Sequence, residues 1–278
     1  GAPPTRIPDD QPEAPPGEFL LGYESQFSPK GFPVPQPSAL GFNGSFAAFL
    51  VMRQDVHAFE QFLAANESPT LSKEVLAAKI CGRWRNGVPI ILSPDSDTPD
   101  PPITVDTIDY FDYNTADPKG FKCPIGAHIR RTNPRDQIIM GSGHTHRIIR
   151  RAMPYGPPYD PDHPDDGIER GLVGLFINAS FAQQFEFVMK NWVNDSSFAG
   201  GLNKPNNDPT REVMIGNNGG NTGYFTIPNS SDPKNPTVIQ GFSSFVATRG
   251  SAYLFLPSIT ALRYLADPAH ATSADPSQ

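Results

Sequence analysis

The chain has 278 residues, 37% hydrophobic and 18% charged, with a net charge of -7 and a pI near 5.3. That balance argues against an intrinsically disordered chain, and an acidic chain of this kind is not built as a nucleic-acid binder, which needs lysines and arginines gathered on one face. Its longest apolar runs, such as Ala252 to Leu256, are far too short to cross a bilayer as a helix.

Read in chain order, residues 1–17 hold Pro3, Pro4, Pro8, Pro12, Pro15 and Pro16 among several acids, which predicts an extended arm ahead of a domain over 18–278. Ser45 to Met52 is apolar and aromatic and reads as a strand. Val56 to Ala65 has helical spacing, and Leu71 to Arg83 reads as a second helix with Ser68 or Thr70 as its N-cap. Residues 85–150 are rich in Pro, Asp and Gly and lack a regular period, the kind of long insert in which sites are found. Gly171 to Ile177 reads as a buried strand, and Phe181 to Val193 as a helix with Phe185, Val188, Met189 and Trp192 near one face. Phe245 to Leu256 reads as a further strand, and Ser258 to Ala266 as the last helix. Strands alternating with helices in this order predict an α+β domain, an antiparallel sheet with helices on one face.

Smaller signals narrow the chemistry. Cys81 and Cys123 have no metal-ligand spacing and read as buried free thiols. The chain starts at Gly1 with no signal peptide, as a mature or cut product would. The sequons at Asn43, Asn66, Asn194 and Asn229 are compatible with a secreted protein, whereas Asn178 follows an apolar run and reads as buried. His144 and His146 form an H-x-H pair without a third ligand in fitting spacing, so zinc is disfavoured. The GNNGGNTG stretch from Gly216 has no Lys-Ser/Thr after it and reads as a loop, not a phosphate cradle. No surface tyrosine or tryptophan stands out as a site of substrate oxidation.

The informative stretches are GEFLLGY (Gly17–Tyr23), NGSFAAFLVMRQDVHAF (Asn43–Phe59), CPIGAHIRRTNPRD (Cys123–Asp136), HRIIRRAMPYGP (His146–Pro157), GLVGLFINASFAQQFEFV (Gly171–Val188) and TRGSAYLFLPS (Thr248–Ser258). Together they resemble the dye-decolourising peroxidase family over most of the chain. The residues alone leave His128 open, either a satisfied core histidine or a metal ligand. The resemblance implies that His128 is the proximal ligand of haem b, and a neutral imidazole beside the small Gly126 and Ala127 suits that role. It implies a distal arginine at Arg150, with Arg147 and Arg151 as near neighbours, whose permanent planar charge would stabilise a peroxide anion. It also implies an apolar distal wall from Leu175 and Ile177, and haem propionates paired with members of the basic cluster, Arg131 among them.

The resemblance further implies a ferredoxin-like fold, the C-terminal half of a larger barrel-like architecture whose N-terminal half is not in this chain, so that a second polypeptide would supply it. Two motifs depart from the family. The G-x-x-D-G that carries a distal aspartate is missing, and His163–Gly167 (HPDDG) is not a match for it. Ala252 stands where an acid often supports the proximal histidine, so an Asp or Glu from elsewhere would have to do so. The expected function is a haem peroxidase oxidising dyes and bulky phenolic aromatics with hydrogen peroxide. The alternatives are a haem-binding pseudoenzyme, or a haem-free structural or interaction subunit.

Overall fold

The computed structural model describes residues 12–138, 143–164, 166–198, 210–219 and 223–267. Residues 1–11 of the expected arm therefore lie outside the described residues. In chain order the elements are a 3-10 turn (Pro16–Glu18), α1 (Ser38–Gly41), β1 (Ser45–Gln54), α2 (Val56–Ala65), α3 (Lys73–Cys81), α4 (Tyr113–Ala116) and α5 (His128–Thr132). These are followed by β2 (Ile149–Tyr155), β3 (Arg170–Asn178), α6 (Phe185–Phe187), a π-helical segment (Val188–Val193), β4 (Gly223–Ile227), β5 (Thr237–Phe242), β6 (Val246–Leu256) and α7 (Ile259–Ala266). Among the described residues no helix is long and apolar enough to cross a membrane.

The main sheet has the order β2-β3-β1-β6 with every neighbour antiparallel, and β4-β5 form a separate hairpin. Helices α2 and α3 lead from β1 towards β2, and the α6 segment leads from β3 towards β6. This βαββαβ order is the ferredoxin-like arrangement, as expected. β1 is central because both of its faces are apolar: Phe46, Ala48, Leu50 and Met52 on one, Ala47, Phe49 and Val51 on the other.

The buried core lies away from this sheet. Phe62 and Leu63 of α2 and Leu76 and Ile80 of α3 close over Phe225, Ile227, Ile239 and Phe242 of the hairpin. Each such side chain contributes about 1.5–3 kcal/mol on burial. A second cluster surrounds Trp84, Ile90, Phe111, Tyr113 and Cys123, and a third gathers Val188, Trp192, Val193 and Phe198. None of the three contains a residue of the four-stranded sheet. The sheet meets the α6 region through aromatic pairs: Phe176 with Phe185 (5.4 Å between centroids), Phe46 with Phe181 (5.3 Å) and Tyr253 stacked on Phe181 (4.1 Å).

Some elements differ from the sequence expectation. α3 begins at Lys73 under Ser72, whose hydroxyl accepts from Val75 N, while Ser68 and Thr70 lie in a preceding turn. It ends at Gly82, which has φ 89°, a left-handed cap that favours glycine. The helix expected over Phe181–Val193 forms only from Phe185. Gln184 accounts for the delay, since its Oε1 accepts from Ala179 N and Ser180 N and holds residues 180–184 in a turn. β2 emerges from the end of the insert, and the β4-β5 hairpin was not foreseen.

Candidate functional site

His128 is the first residue of α5, a short helix held rigidly from below. Asp117 accepts from the backbone N–H groups of Phe121 (2.8 Å), Lys122 (3.2 Å) and Cys123 (2.9 Å), and so fixes the turn that opens the CPIGAH segment. Arg130 is fully buried and donates to Asp117 O, Asp117 Oδ2, Cys123 O and Gln137 Oε1. Gly82 allows α3 to end against this helix, because a Cβ there would collide with Ile129 Cγ1. The basic run thus serves partly as scaffold, and His128 is left at its edge with 27% of its side chain exposed.

The partner of His128 is Glu212, from the described segment 210–219. Its Oε1 lies 3.3 Å from His128 Nδ1, and its Oε2 accepts from Met214 N (3.0 Å) and Ile215 N (2.6 Å). Glu212 is completely buried. Burial alone would raise its pKa. The hydrogen bond from His128, with the Ile215 and Met214 N–H groups, outweighs that and holds it below the ordinary glutamate value. An ionised carboxylate at Nδ1 fixes the tautomer with the proton on Nδ1. The Nε2 lone pair is then free, and Nε2 bonds to no described residue. This is the donor geometry an axial imidazole needs.

Glu212 was not picked out from the sequence, which required only that some acid replace the missing one at position 252. The available signal was a lone acid beside the apolar VMI run and ahead of a Gly/Asn-rich turn. Ala252 itself is opposite Phe49, on the sheet face turned away from α6.

Arg150 stands near the start of β2, directly opposite Phe176, which in turn is opposite Ala48. Directly opposed residues of an antiparallel pair share a face. Arg150 is therefore on the face whose Phe176 packs against Phe185, the face turned to the helical layer. Its guanidinium makes no hydrogen bond or ion pair with any described residue. It is reachable from solvent, yet enough protein surrounds it that desolvation lowers its pKa, with Arg83 adding to the fall and Asp109 opposing it.

The same register separates the expected distal wall from Arg150. Leu175 is opposite Arg151 and Ile177 is opposite Ile149, so both lie on the other face. Alternation along a strand is the reason: the expected pair was offset by one residue, and Phe176 is the side chain that accompanies Arg150.

Arg131 does not fit the expected propionate role. It is 1% exposed, its Nε donates to Trp192 O and its Nη2 to Asp195 O, and its guanidinium lies 4.7 Å from the Phe198 ring centroid. Burial pulls its pKa down to about 10. Arg131 pins the C-terminal end of the π-helical segment.

The remaining signals resolve as structure. Cys81 and Cys123 are free, and burial pushes their thiols up to about 11 and about 12. His144 faces Asp112 (3.4 Å), whereas His146 stacks on Phe187 (3.5 Å between centroids), so the two do not converge on one ion. No group of His, Cys, Asp or Glu among the described residues is placed to hold a metal ion between them. Asn178 is fully buried, as expected, and Asp166 of the HPDDG stretch is tied to Arg170. A charged cavity of about 420 Å³, lined by Arg53, His57, Glu169, Arg170 and Arg249 among others, lies at the far end of the strands. It is not the His128 site.

No family model matches the sequence. Among curated proteins, it is 31% identical over 267 residues to Peroxidase 2 of Mycetinis scorodonius, covering 89% of this chain and 50% of that protein. It is 33% identical over 286 residues to the dye-decolorizing peroxidase msp1 of the same fungus, covering 94% and 52%. Among solved structures, a dye-decolorizing peroxidase in complex with 2,6-dimethoxyphenol superposes with a TM-score of 0.72 at 30% identity, over 94% of this chain and 59% of that one. AauDyP complexed with imidazole gives a TM-score of 0.72 at 27% identity, over 93% and 59%. The chain spans about half the length of the curated relatives it matches.

Proposed function

The chain belongs to the dye-decolourising peroxidase family, and from that premise we propose that it is the haem-bearing, C-terminal portion of a peroxidase that uses hydrogen peroxide to oxidise dyes and phenolic aromatics. The observation that carries the proposal is the pair His128–Glu212, an imidazole with Nδ1 bound to a buried carboxylate at 3.3 Å and Nε2 bonded to no described residue. The residues fit haem b: His128, held by Glu212 at Nδ1, would hold the iron through Nε2. Once bound, haem would supply the oxidising equivalents drawn from peroxide.

The chain's own residues would do the rest. Glu212 keeps His128 in one tautomer and strengthens it as a donor. Arg150, permanently charged and without a partner among the described residues, would attract and orient peroxide and stabilise negative charge on its oxygen. Phe176 beside it would keep that side apolar and limit the entry of water. Leu175, Ile177 and Arg131 are not assigned to the site, for the reasons given by register and burial. The comparisons lend no support to a second polypeptide bringing the N-terminal half, and the reading does not invoke one.

The test is spectroscopic. Purified protein, with haemin added, should show a Soret band that is lost in His128→Ala, and the reconstituted protein should oxidise a phenolic dye when peroxide is supplied. No Soret band after haemin addition would overturn the reading.

A further inference from the structure

Of the five N-x-S/T sequons, the fold ties four and leaves one open. Asn178 ends β3 fully buried, and its Nδ2 donates to Phe176 O at 3.1 Å. Asn194 caps the π-helical segment, with Nδ2 donating to Met189 O at 2.9 Å and Oδ1 accepting from Asn217 N at 2.8 Å. Asn66 caps α2, and its Nδ2 donates to Phe62 O at 2.9 Å. Asn43 is exposed, but its sequon ends at Ser45, which is 8% exposed in β1 and donates its hydroxyl to Phe19 O. Asn229 has none of these ties. Asn229, Ser230 and Ser231 are all exposed, in the loop over 228–236 that joins β4 to β5. The Asn229 Oδ1 accepts from Ser231 N at 2.9 Å and from Asp232 N at 3.3 Å, an Asx turn. Its Nδ2 and the Ser231 hydroxyl bond to no described residue.

We infer that Asn229 is a modification site, the acceptor of an N-linked oligosaccharide carried on a lipid diphosphate in the secretory pathway. The sequon supplies the two groups that such transfer reads, an asparagine amide and a hydroxyl two residues on, with Ser230 and not proline between them. In the step itself, Asn229 Nδ2 bonds to the anomeric carbon of the sugar. The bond from that carbon to the lipid diphosphate breaks, the diphosphate leaves with the electron pair, and Nδ2 gives up one proton. The product amide keeps Oδ1 unchanged, so the bonds from Ser231 N and Asp232 N that shape the turn survive. At Asn66 and Asn194 the sugar would instead join a nitrogen already bonded to the backbone of its own helix, and at Asn178 a bulky polar group would have to enter the interior. The inference is independent of haem and of the peroxidase reading.

The experiment expresses the full chain behind a secretion leader in yeast and reads both the secreted and the cell-retained protein, so that poor export does not hide the result. Peptide-N-glycosidase in ¹⁸O water converts a glycosylated asparagine to ¹⁸O-labelled aspartate, and peptide mass spectrometry locates it. Labelled aspartate is expected at position 229 and not at position 178. On a denaturing gel, Asn229→Gln and Ser231→Ala should each lose one glycan step relative to the parent chain, whereas Ser231→Thr, which keeps the hydroxyl, should retain it. All three substitutions lie in an exposed loop and should leave the fold intact, checked by the circular dichroism of the purified chains. Unlabelled Asn229 in both fractions would overturn the inference, whatever the other sequons carry. So would a full set of glycan steps in Asn229→Gln, since the sugar would then be held elsewhere.

Discussion

Arg150 and Arg151 are adjacent in the sequence and point to opposite faces of the sheet, one level with Phe176 and the other level with Leu175. Only the Arg150 face is turned to the helical layer that holds His128. Arg150→Leu should therefore lower the rate of reaction with peroxide by about 10²–10³, the usual loss when one preorganised charge-stabilising donor is removed. Arg151→Leu should leave that rate within a factor of two or so, as expected of an exposed substitution outside the site. Stopped-flow mixing of each reconstituted variant with hydrogen peroxide checks both. Equal losses would place both side chains at the iron and contradict the register.

Glu212→Gln keeps the volume and the hydrogen-bonding reach but removes the charge at His128 Nδ1. The amide oxygen can still accept from Met214 N and Ile215 N, so the fold should persist. Haemin affinity should fall by about 10–100-fold, the range seen when a ligand's supporting carboxylate is removed. Titration of haemin into the haem-free variant, followed at the Soret band, measures it. Unchanged affinity would show that the 3.3 Å contact does not matter to ligation.

Arg131 separates scaffold from cofactor site. Its buried guanidinium holds the carbonyls of Trp192 and Asp195, and charge-assisted hydrogen bonds contribute about 1.5–3 kcal/mol each. Arg131→Met should cost the haem-free protein about 3 kcal/mol, measured by urea denaturation, since the apolar chain fills part of the space but leaves both carbonyls without donors. A role on a propionate would instead show as a loss of haemin affinity with little change in stability.

How much of this was legible in the sequence follows from range. β1, α2, β3, β6 and α7 were readable because each carries its own period and its own boundary signals, such as Asp55 and Ser258 capping the helices that follow them. The Phe181–Val193 helix was overestimated because its apolar spacing is real, yet Gln184 is occupied with the backbone of Ala179 and Ser180. The hairpin β4-β5 was missed because its apolar residues are buried against α2 and α3, a tertiary relation that leaves no local mark. Within the proposed site, His128 and Arg150 were put forward through the motifs around them. Glu212 was not, because its partner is 84 residues away. Leu175 and Ile177 were misplaced by the smallest possible error, since one residue of register inverts every side chain of a strand.

The segment that delivers Arg150 should weaken in acid. His144 and His146 precede β2, and both adopt φ 57°, a left-handed conformation costly for a residue with a side chain. His146 is 5% exposed, stacked on Phe187 and edge-on to Trp192, and burial lowers its pKa against the opposing pull of the Gln183 carbonyl. His144 is lowered too, by desolvation first, with Asp112 opposing and Arg147 adding. Both histidines therefore stay neutral in the folded chain at pH values where the unfolded chain, titrating near about 6.5, already binds protons. Stability then rises with pH in that window, so it is fully present above about 6.5 and is lost as pH falls towards the folded-state values. The melting temperature of the haem-free protein should drop between pH 7.5 and 5, by about 2–4 °C for each kcal/mol lost. His146→Phe, which keeps the stack on Phe187, should flatten part of that slope. A slope unchanged in His146→Phe would mean that other groups carry the acid sensitivity.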